Sequence, residues 1–141
     1  MKGTKSLRCF ITTPFSEDFR DIRMVIVKAL IEVGIEPILL EGTIPAGTLI
    51  FEYVQQAIER ADVIIADLTE TSPNVMYEVG YAHALSTPIL LIVQSGVGHV
   101  PSDIAGHFYL VYEPSRPDDL KYKIKSWVTR HMSKGEEEAQ R

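Results

Sequence analysis

The chain has 141 residues and a formal net charge of −5, with 14 lysines and arginines against 19 aspartates and glutamates. This length suits one compact domain with a real hydrophobic core, and no apolar run reaches the roughly 18–20 residues that span a bilayer. The acidic balance argues against a general binder of nucleic acid polymers, which would carry a basic patch.

Short apolar runs alternate with segments of helical periodicity along the whole chain. The predicted strands cover residues 7–12, 37–41, 62–68, 88–94 and 108–112, and the predicted helices cover 17–33, 48–60, 73–86 and 118–132. Gly34 follows the first helix as a left-handed cap residue. Cys9 lies in the first strand and has no partner for an internal disulfide, so we expect a buried core residue in a cytoplasmic protein.

This alternation predicts right-handed crossovers and a mostly parallel sheet. Five strands with four or five helices fit a single-domain α/β fold, a flavodoxin-like, doubly wound parallel sheet of order 2-1-3-4-5. We expect the domain to cover residues 1–134 and the acidic tail, residues 135–141, to be disordered. In this order the loops after the first and third strands face each other across a cleft at the carboxyl edge.

The segment 61–85, ADVIIADLTETSPNVMYEVGYAHAL, carries the clearest functional pattern. Its strand ends near Asp67, and the pair Ser72-Pro73 marks the start of a helix. Glu78 then lies one and a half turns into this helix, at the carboxyl edge and on the margin of the apolar face. Most helical glutamates are simply solvated, but a carboxylate half-withdrawn from water here can act as a nucleophile or as a tuned acid or base.

Other residues of the segment each allow a structural interpretation beside a functional one. Asp67 either holds a ligand hydroxyl or hydrogen-bonds to amides of its own loop. Ser72 and Asn74 either cap the helix or lie where its first amides meet a phosphate or carboxylate. Gly80 costs about 1 kcal/mol relative to alanine inside a helix, which predicts the close approach of a neighbouring helix or a second subunit. The histidines share no metal-ligand spacing with one another or with Cys9, so no metal site is expected.

The same segment resembles the central motif of the nucleoside 2-deoxyribosyltransferase-like superfamily, and most of all its small TIR-like, nucleotide-binding domains, which read ADLTGxNPNVxYELGxAHAL. The start FITTPFSEDF and the later VPSDI resemble the same branch, so the similarity covers roughly residues 8–112. The resemblance implies a flavodoxin-like fold that binds nucleosides or nucleotides at the carboxyl edge. It also implies that a glutamate, here Glu78, attacks the anomeric carbon.

Two features depart from the related deoxynucleotide hydrolases. Val54 stands where those proteins carry an aspartate on the preceding helix, and Glu52 is a nearby candidate replacement. The loop after the first strand, TTPFS, has no glycine and no cation, whereas theirs is rich in glycine, serine and arginine for phosphate.

The resemblance therefore implies cleavage or transfer of an N-glycosidic bond, as in an N-glycosidase or a deoxyribosyltransferase. Glu78 would be the nucleophile and Asp67 would hold the sugar, without metal or cofactor. Phe15 and Tyr81 would contact the base or ribose. The expected substrate-binding residues are Thr13, Pro14, Phe15, Ser16, Ser72, Asn74 and Tyr81.

Two other interpretations stay open, a nucleotide sensor that binds without turnover and a TIR-like NAD hydrolase. In each case the expected partner is a small nucleoside or nucleotide, with no membrane and no nucleic acid polymer. We also expect a homodimer or larger homo-oligomer, since relatives commonly pair. The helix that carries Gly80 would lie near the interface.

Overall fold

The computed structural model describes residues 6–40, 50–96 and 109–139. The strands of this part are β1 (Arg8–Thr12), β2 (Glu36–Ile38), β3 (Val63–Asp67), β4 (Ile89–Gln94) and β5 (Tyr109–Tyr112). The helices are α1 (Arg20–Glu32), α2 (Ile50–Arg60), α3 (Pro73–Ala84) and α4 (Pro117–Ala139), and a 3₁₀ turn (Glu17–Phe19) precedes α1.

All neighbouring strands pair in parallel, in the order β2-β1-β3-β4-β5. The predicted single-domain, flavodoxin-like α/β fold is therefore confirmed. The central strand β3 is buried along its whole length, because helices cover both faces of the sheet. Val63 and Ile65 of β3 belong to the core beneath α1 and α4, whereas Ile64 and Ala66 face α2 and α3.

The first helix begins later than the sequence predicts. Ser16 occupies the N-cap position of the 3₁₀ turn, without a capping hydrogen bond from its side chain, and the α-helix starts only at Arg20. The predicted end is confirmed, since Gly34 has a φ of +80° and its N–H donates to the carbonyl of Ile31 at 3.1 Å. Glycine suits this position because a Cβ disfavours the left-handed conformation.

The last helix is longer than predicted. α4 continues to Ala139, beyond the expected end near Met132, and so includes residues 135–139 of the segment for which we expected disorder. The glutamates and the alanine there are good helix formers, and they extend the helix despite Gly135. The predicted loop 42–47 and most of the predicted loop 95–106 lie outside the described residues. None of the described helices is long and apolar enough to cross a membrane.

Candidate functional site

The carboxyl ends of β1 and β2 and the middle of α3 border an open cleft of about 340 Å³. Its lining consists of Phe10, Ile11, Thr12, Thr13, Phe15, Arg23, Leu39, Leu40 and Glu78. The cleft lies beside the point where the strand order reverses, between β1 and β3, and open α/β sheets bind ligands at such a point.

Glu78 supplies the carboxylate of this lining and is only 8% exposed. Its helix packs Val75 and Val79 onto the sheet, so the intervening Glu78 is drawn towards the end of β1. Burial raises the pKa of the Glu78 carboxyl, and a hydrogen bond with the Thr12 side chain partly offsets that rise. A carboxylate held this way meets a ligand directly, with little water to compete for it.

Arg23 is a functional candidate that the sequence analysis missed. Its Nη1 donates to the Thr13 hydroxyl at 3.1 Å and to the Pro14 carbonyl at 3.0 Å. The first loop has no cation of its own, but α1 places one against it and in the cleft wall. The sequence did contain a signal for Arg23, because a cation in the first turns of a helix is unfavourable next to the helix dipole and so calls for another explanation. Periodicity alone could not show that the side chain folds back onto the loop.

The four residues of the first loop have different positions. Thr13 is buried in the cleft wall, and its hydroxyl donates to the Pro14 carbonyl at 3.3 Å. Phe15 stands at the cleft with 68% of its surface exposed. Pro14 contributes its carbonyl to Arg23, while the exposed Ser16 begins the 3₁₀ turn. The structure thus brings Thr13 and Phe15 to the cleft with Glu78.

Asp67 is buried and does not line the cleft. One carboxylate oxygen accepts hydrogen bonds from the backbone N–H of Thr69, at 2.9 Å, and from the Thr69 hydroxyl. The other accepts from the Tyr112 hydroxyl, and Thr69 Oγ1 accepts from the backbone N–H of Gln94 at 3.0 Å. Both oxygens thus accept hydrogen bonds within the chain, and a role in holding a sugar stays a prediction. Of the two interpretations, the structural one fits this geometry.

Burial raises the pKa of Asp67, and the hydrogen bonds from Thr69 and Tyr112 oppose the rise. Burial and the neighbouring carboxylate of Asp67 also raise the pKa of Tyr112, which therefore keeps its proton and acts as the donor. The network joins the carboxyl ends of β3, β4 and β5. It stabilises the edge of the sheet from which α3 begins.

Three further predicted ligand contacts are not in the described cleft wall. Ser72 is the N-cap residue of α3 without a capping hydrogen bond from its side chain, and Asn74 is exposed in the first turn. Tyr81 donates its hydroxyl to Glu59 on α2. Tyr81 therefore ties α3 to α2, and its contact with a base or ribose stays a prediction.

The candidate replacement carboxylate also lies elsewhere. Glu52 is exposed on α2, and Val54 is buried in the core under the same helix. Within the described lining, Glu78 therefore has no second carboxylate beside it. In the same part of the chain, no group of three or more His, Cys, Asp or Glu side chains could hold a metal ion.

No protein-family model and no curated protein matches the chain, but solved structures share its fold. The CMP N-glycosidase BcmB from Clostridium botulinum superposes with a TM-score of 0.63 and 21% identity, over 83% of this chain and 97% of that one. The TIR domain of the Toll-related receptor TRR-2 from Hydra magnipapillata superposes with a TM-score of 0.66 and 17% identity, over 86% of this chain and 97% of that one. A response regulator receiver domain from Bacillus halodurans superposes with a TM-score of 0.53 and 12% identity, over 90% of this chain and 97% of that one. The chain therefore has a fold shared with TIR domains and an N-glycosidase.

Tyr112→Phe tests the structural role of Asp67. The change removes the donor to a buried carboxylate oxygen, so we expect the free energy of unfolding in urea to fall by about 1–3 kcal/mol. Tyr109→Phe, on the same strand, is the matched control, because no hydrogen bond of its hydroxyl is found among the described residues. Equal stabilities of the two variants would contradict the assignment.

Glu78→Gln tests the cost of burying this carboxyl group. Because burial raises its pKa above the ordinary 4.5, the folded chain loses stability as the pH rises from about that value through the folded pKa. We expect the glutamine variant to melt at a higher temperature than the wild type at neutral pH, with the gap closing in acid. Asp67 titrates in both proteins, so the difference between the two pH profiles reports Glu78. Parallel profiles would argue against the raised pKa.

Proposed function

We propose that the chain cleaves or transfers the N-glycosidic bond of a nucleoside or nucleotide, with Glu78 as the nucleophile. The observation that carries this proposal is a carboxylate, 8% exposed, in the wall of an open cleft at the carboxyl edge of the sheet. The resemblance of residues 61–85 to the transferase motif supports the same role. The fold shared with a CMP N-glycosidase agrees with it.

In the proposed reaction, a Glu78 oxygen attacks the anomeric carbon as the bond to the base nitrogen breaks. The base leaves with the bonding electron pair and takes up a proton, and a glycosyl ester forms on Glu78. Water then releases the sugar in a hydrolase, and a second base does so in a transferase. The Glu78 carboxylate also stabilises the positive charge that develops on the sugar, because burial weakens its screening by water.

The other residues of the cleft favour an anionic substrate with an aromatic base. Arg23 brings a positive charge to the wall, and the hydrogen bonds to Thr13 and Pro14 orient its guanidinium. Phe15 exposes an aromatic ring at the same cleft, where a base can stack. These contacts favour a nucleotide over an uncharged nucleoside.

A binding module without turnover is the second candidate. The observation that favours it is the single carboxylate of the described cleft wall, since Asp67 is enclosed by its own hydrogen bonds. Such a protein would bind a nucleotide and release it unchanged. A TIR-like NAD hydrolase would use the same glutamate, and release of nicotinamide distinguishes it.

We further propose that the chain pairs with a second copy through the outer face of α3. A Cβ added at Gly80 would meet no atom within 4 Å, so the expected approach of a neighbouring helix is wrong for the described chain. Ala84 and Tyr77 are also exposed. Gly80 and Ala84 form a strip of small residues, which Tyr77 borders. In a two-fold symmetric contact, the same strip would form the interface on both subunits.

Glu78→Gln also tests the proposed reaction. We expect the wild type to release free base from a member of a panel of nucleosides, nucleotides and NAD, as measured by chromatography. Loss of the nucleophile should lower this rate by at least about a hundredfold. Glu113→Gln, at an exposed site directly after β5 and outside the lining of the cleft, is the matched control and should keep full activity. Turnover that persists in Glu78→Gln would contradict the assignment, and a ligand that binds but is recovered unchanged would favour the binding module.

Gly80→Leu tests the proposed pairing. A Cβ at this exposed position meets no atom of the described chain within 4 Å, and leucine favours a helix more than glycine does. The variant should therefore fold, but its bulk should separate the subunits, as measured by light scattering at micromolar concentration. Lys28→Leu adds the same side chain at an exposed position of α1, on the opposite face of the sheet, and should leave the assembly intact. A monomeric wild type would end the proposal.

A further inference from the structure

A second cavity, of about 700 Å³, lies between the edge strand β2 and α2. We call it the β2–α2 pocket. Its lining consists of Arg8, Glu36, Ile38, Leu39, Leu40, Tyr53, Gln56, Ala57 and Arg60. It shares Leu39 and Leu40 with the Glu78 cleft, but none of the charged or polar residues of that cleft. This volume includes the open solvent at the mouth of the pocket.

Two arginines give the β2–α2 pocket a net positive charge in an acidic chain. Arg8 Nε contacts Glu36 Oε2 at 3.3 Å, and the two side chains are 40% and 56% exposed, so this ion pair contributes little stability. No ion pair or hydrogen bond of the Arg60 side chain is found within the described ranges. Arg60 also suits the end of α2, where the helix dipole favours a cation. The helix dipole does not account for Arg8, because Arg8 begins a strand. Both arginines carry guanidinium groups, which match the geometry of phosphate.

One face of α2 supplies the rest of the pocket. Tyr53, Gln56, Ala57 and Arg60 follow one another at intervals of three, one and three residues, so they lie on the same side of the helix. Tyr53 leaves 42% of its surface exposed, which makes its ring available for stacking. The amide of Gln56 can donate and accept hydrogen bonds beside it. An aromatic group and an anionic group therefore have separate places along one helix face.

An added peptide strand fits this pocket less well than a small molecule. The edge strand β2 has only three residues, and its Pro37 has no N–H to donate. A short edge strand with proline is a poor template for pairing with another chain. The pocket thus provides charge, an aromatic ring and an amide without the backbone edge that a strand would need.

We propose that the β2–α2 pocket is a second ligand site, which binds a small aromatic phosphate such as a mononucleotide. Arg60 and Arg8 contact the phosphate, which replaces Glu36 as the partner of Arg8. The base stacks on Tyr53, and Gln56 hydrogen-bonds to its edge. The site needs no chemistry at Glu78, so it stands whether or not the chain is an enzyme.

A titration of the full chain with AMP, followed by the amide signals in NMR, tests this site. We expect signals of Tyr53, Gln56 and Arg60 to shift with a saturation curve of their own. Signals of Thr13 and Glu78 report the other cleft in the same experiment. Shifts confined to that second group, or absent near Tyr53 at millimolar AMP, would overturn the proposal.

Variants of the pocket test the phosphate contact and the base contact of the ligand separately. Arg60→Gln should weaken AMP binding in the β2–α2 pocket by about tenfold, while Arg116→Gln, which removes an exposed arginine elsewhere, should not. Tyr53→Ala should weaken AMP binding but leave the weaker binding of inorganic phosphate unchanged. Arg60→Gln with unchanged affinity would refute the anion site. Inorganic phosphate that binds as tightly as AMP would refute the aromatic contact.

Discussion

The enclosed carboxylate of Asp67 is the interaction on which the geometry of the candidate site depends. A carboxylate inside a sheet must have hydrogen-bond donors for both oxygens, because the cost of burying an unpaired charge is large. Thr69 and Tyr112 provide these donors from the loop after β3 and from β5, and Gln94 of β4 adds a bond to Thr69. The ends of three strands are therefore joined just before α3 begins. The helix that carries Glu78 begins at this anchored edge of the sheet.

Two buried carboxyl groups thus lie in different surroundings at one edge of the sheet. Burial raises the pKa of both carboxyl groups. Both Asp67 oxygens accept hydrogen bonds from the chain, while Glu78 has the Thr12 side chain beside it and lines an open cleft. In the first arrangement, hydrogen bonds offset part of the cost of burying the Asp67 carboxylate. The second costs stability at neutral pH and leaves the Glu78 carboxylate in the wall of a cleft.

The net negative charge argues against binding of nucleic acid polymers, but the local distribution of arginines still allows binding of small anions. An acidic chain is a poor partner for nucleic acid polymers, since their binding depends on many phosphate contacts at once. It can still bind a small anion wherever a few cations converge. Arg23 is at the Glu78 cleft, and Arg8 and Arg60 are at the β2–α2 pocket, so the two described cavities both place arginine in their walls.

Local patterns in the sequence were enough to predict the fold and the position of Glu78. Alternating strands and helices determine the parallel order, and Ser72-Pro73 and Gly34 mark helix ends through their own backbone preferences. The role of Asp67 depended on Tyr112, 45 residues further along the chain, and no periodicity encodes such a pairing.

Arg23 was missed for a related reason, because helical spacing gives the face of a side chain but not the loop onto which it folds. The sequence by itself therefore determined which elements form and which edge of the sheet carries the site. Only the tertiary structure decided which polar groups satisfy one another and which face a ligand, since that depends on contacts between distant segments.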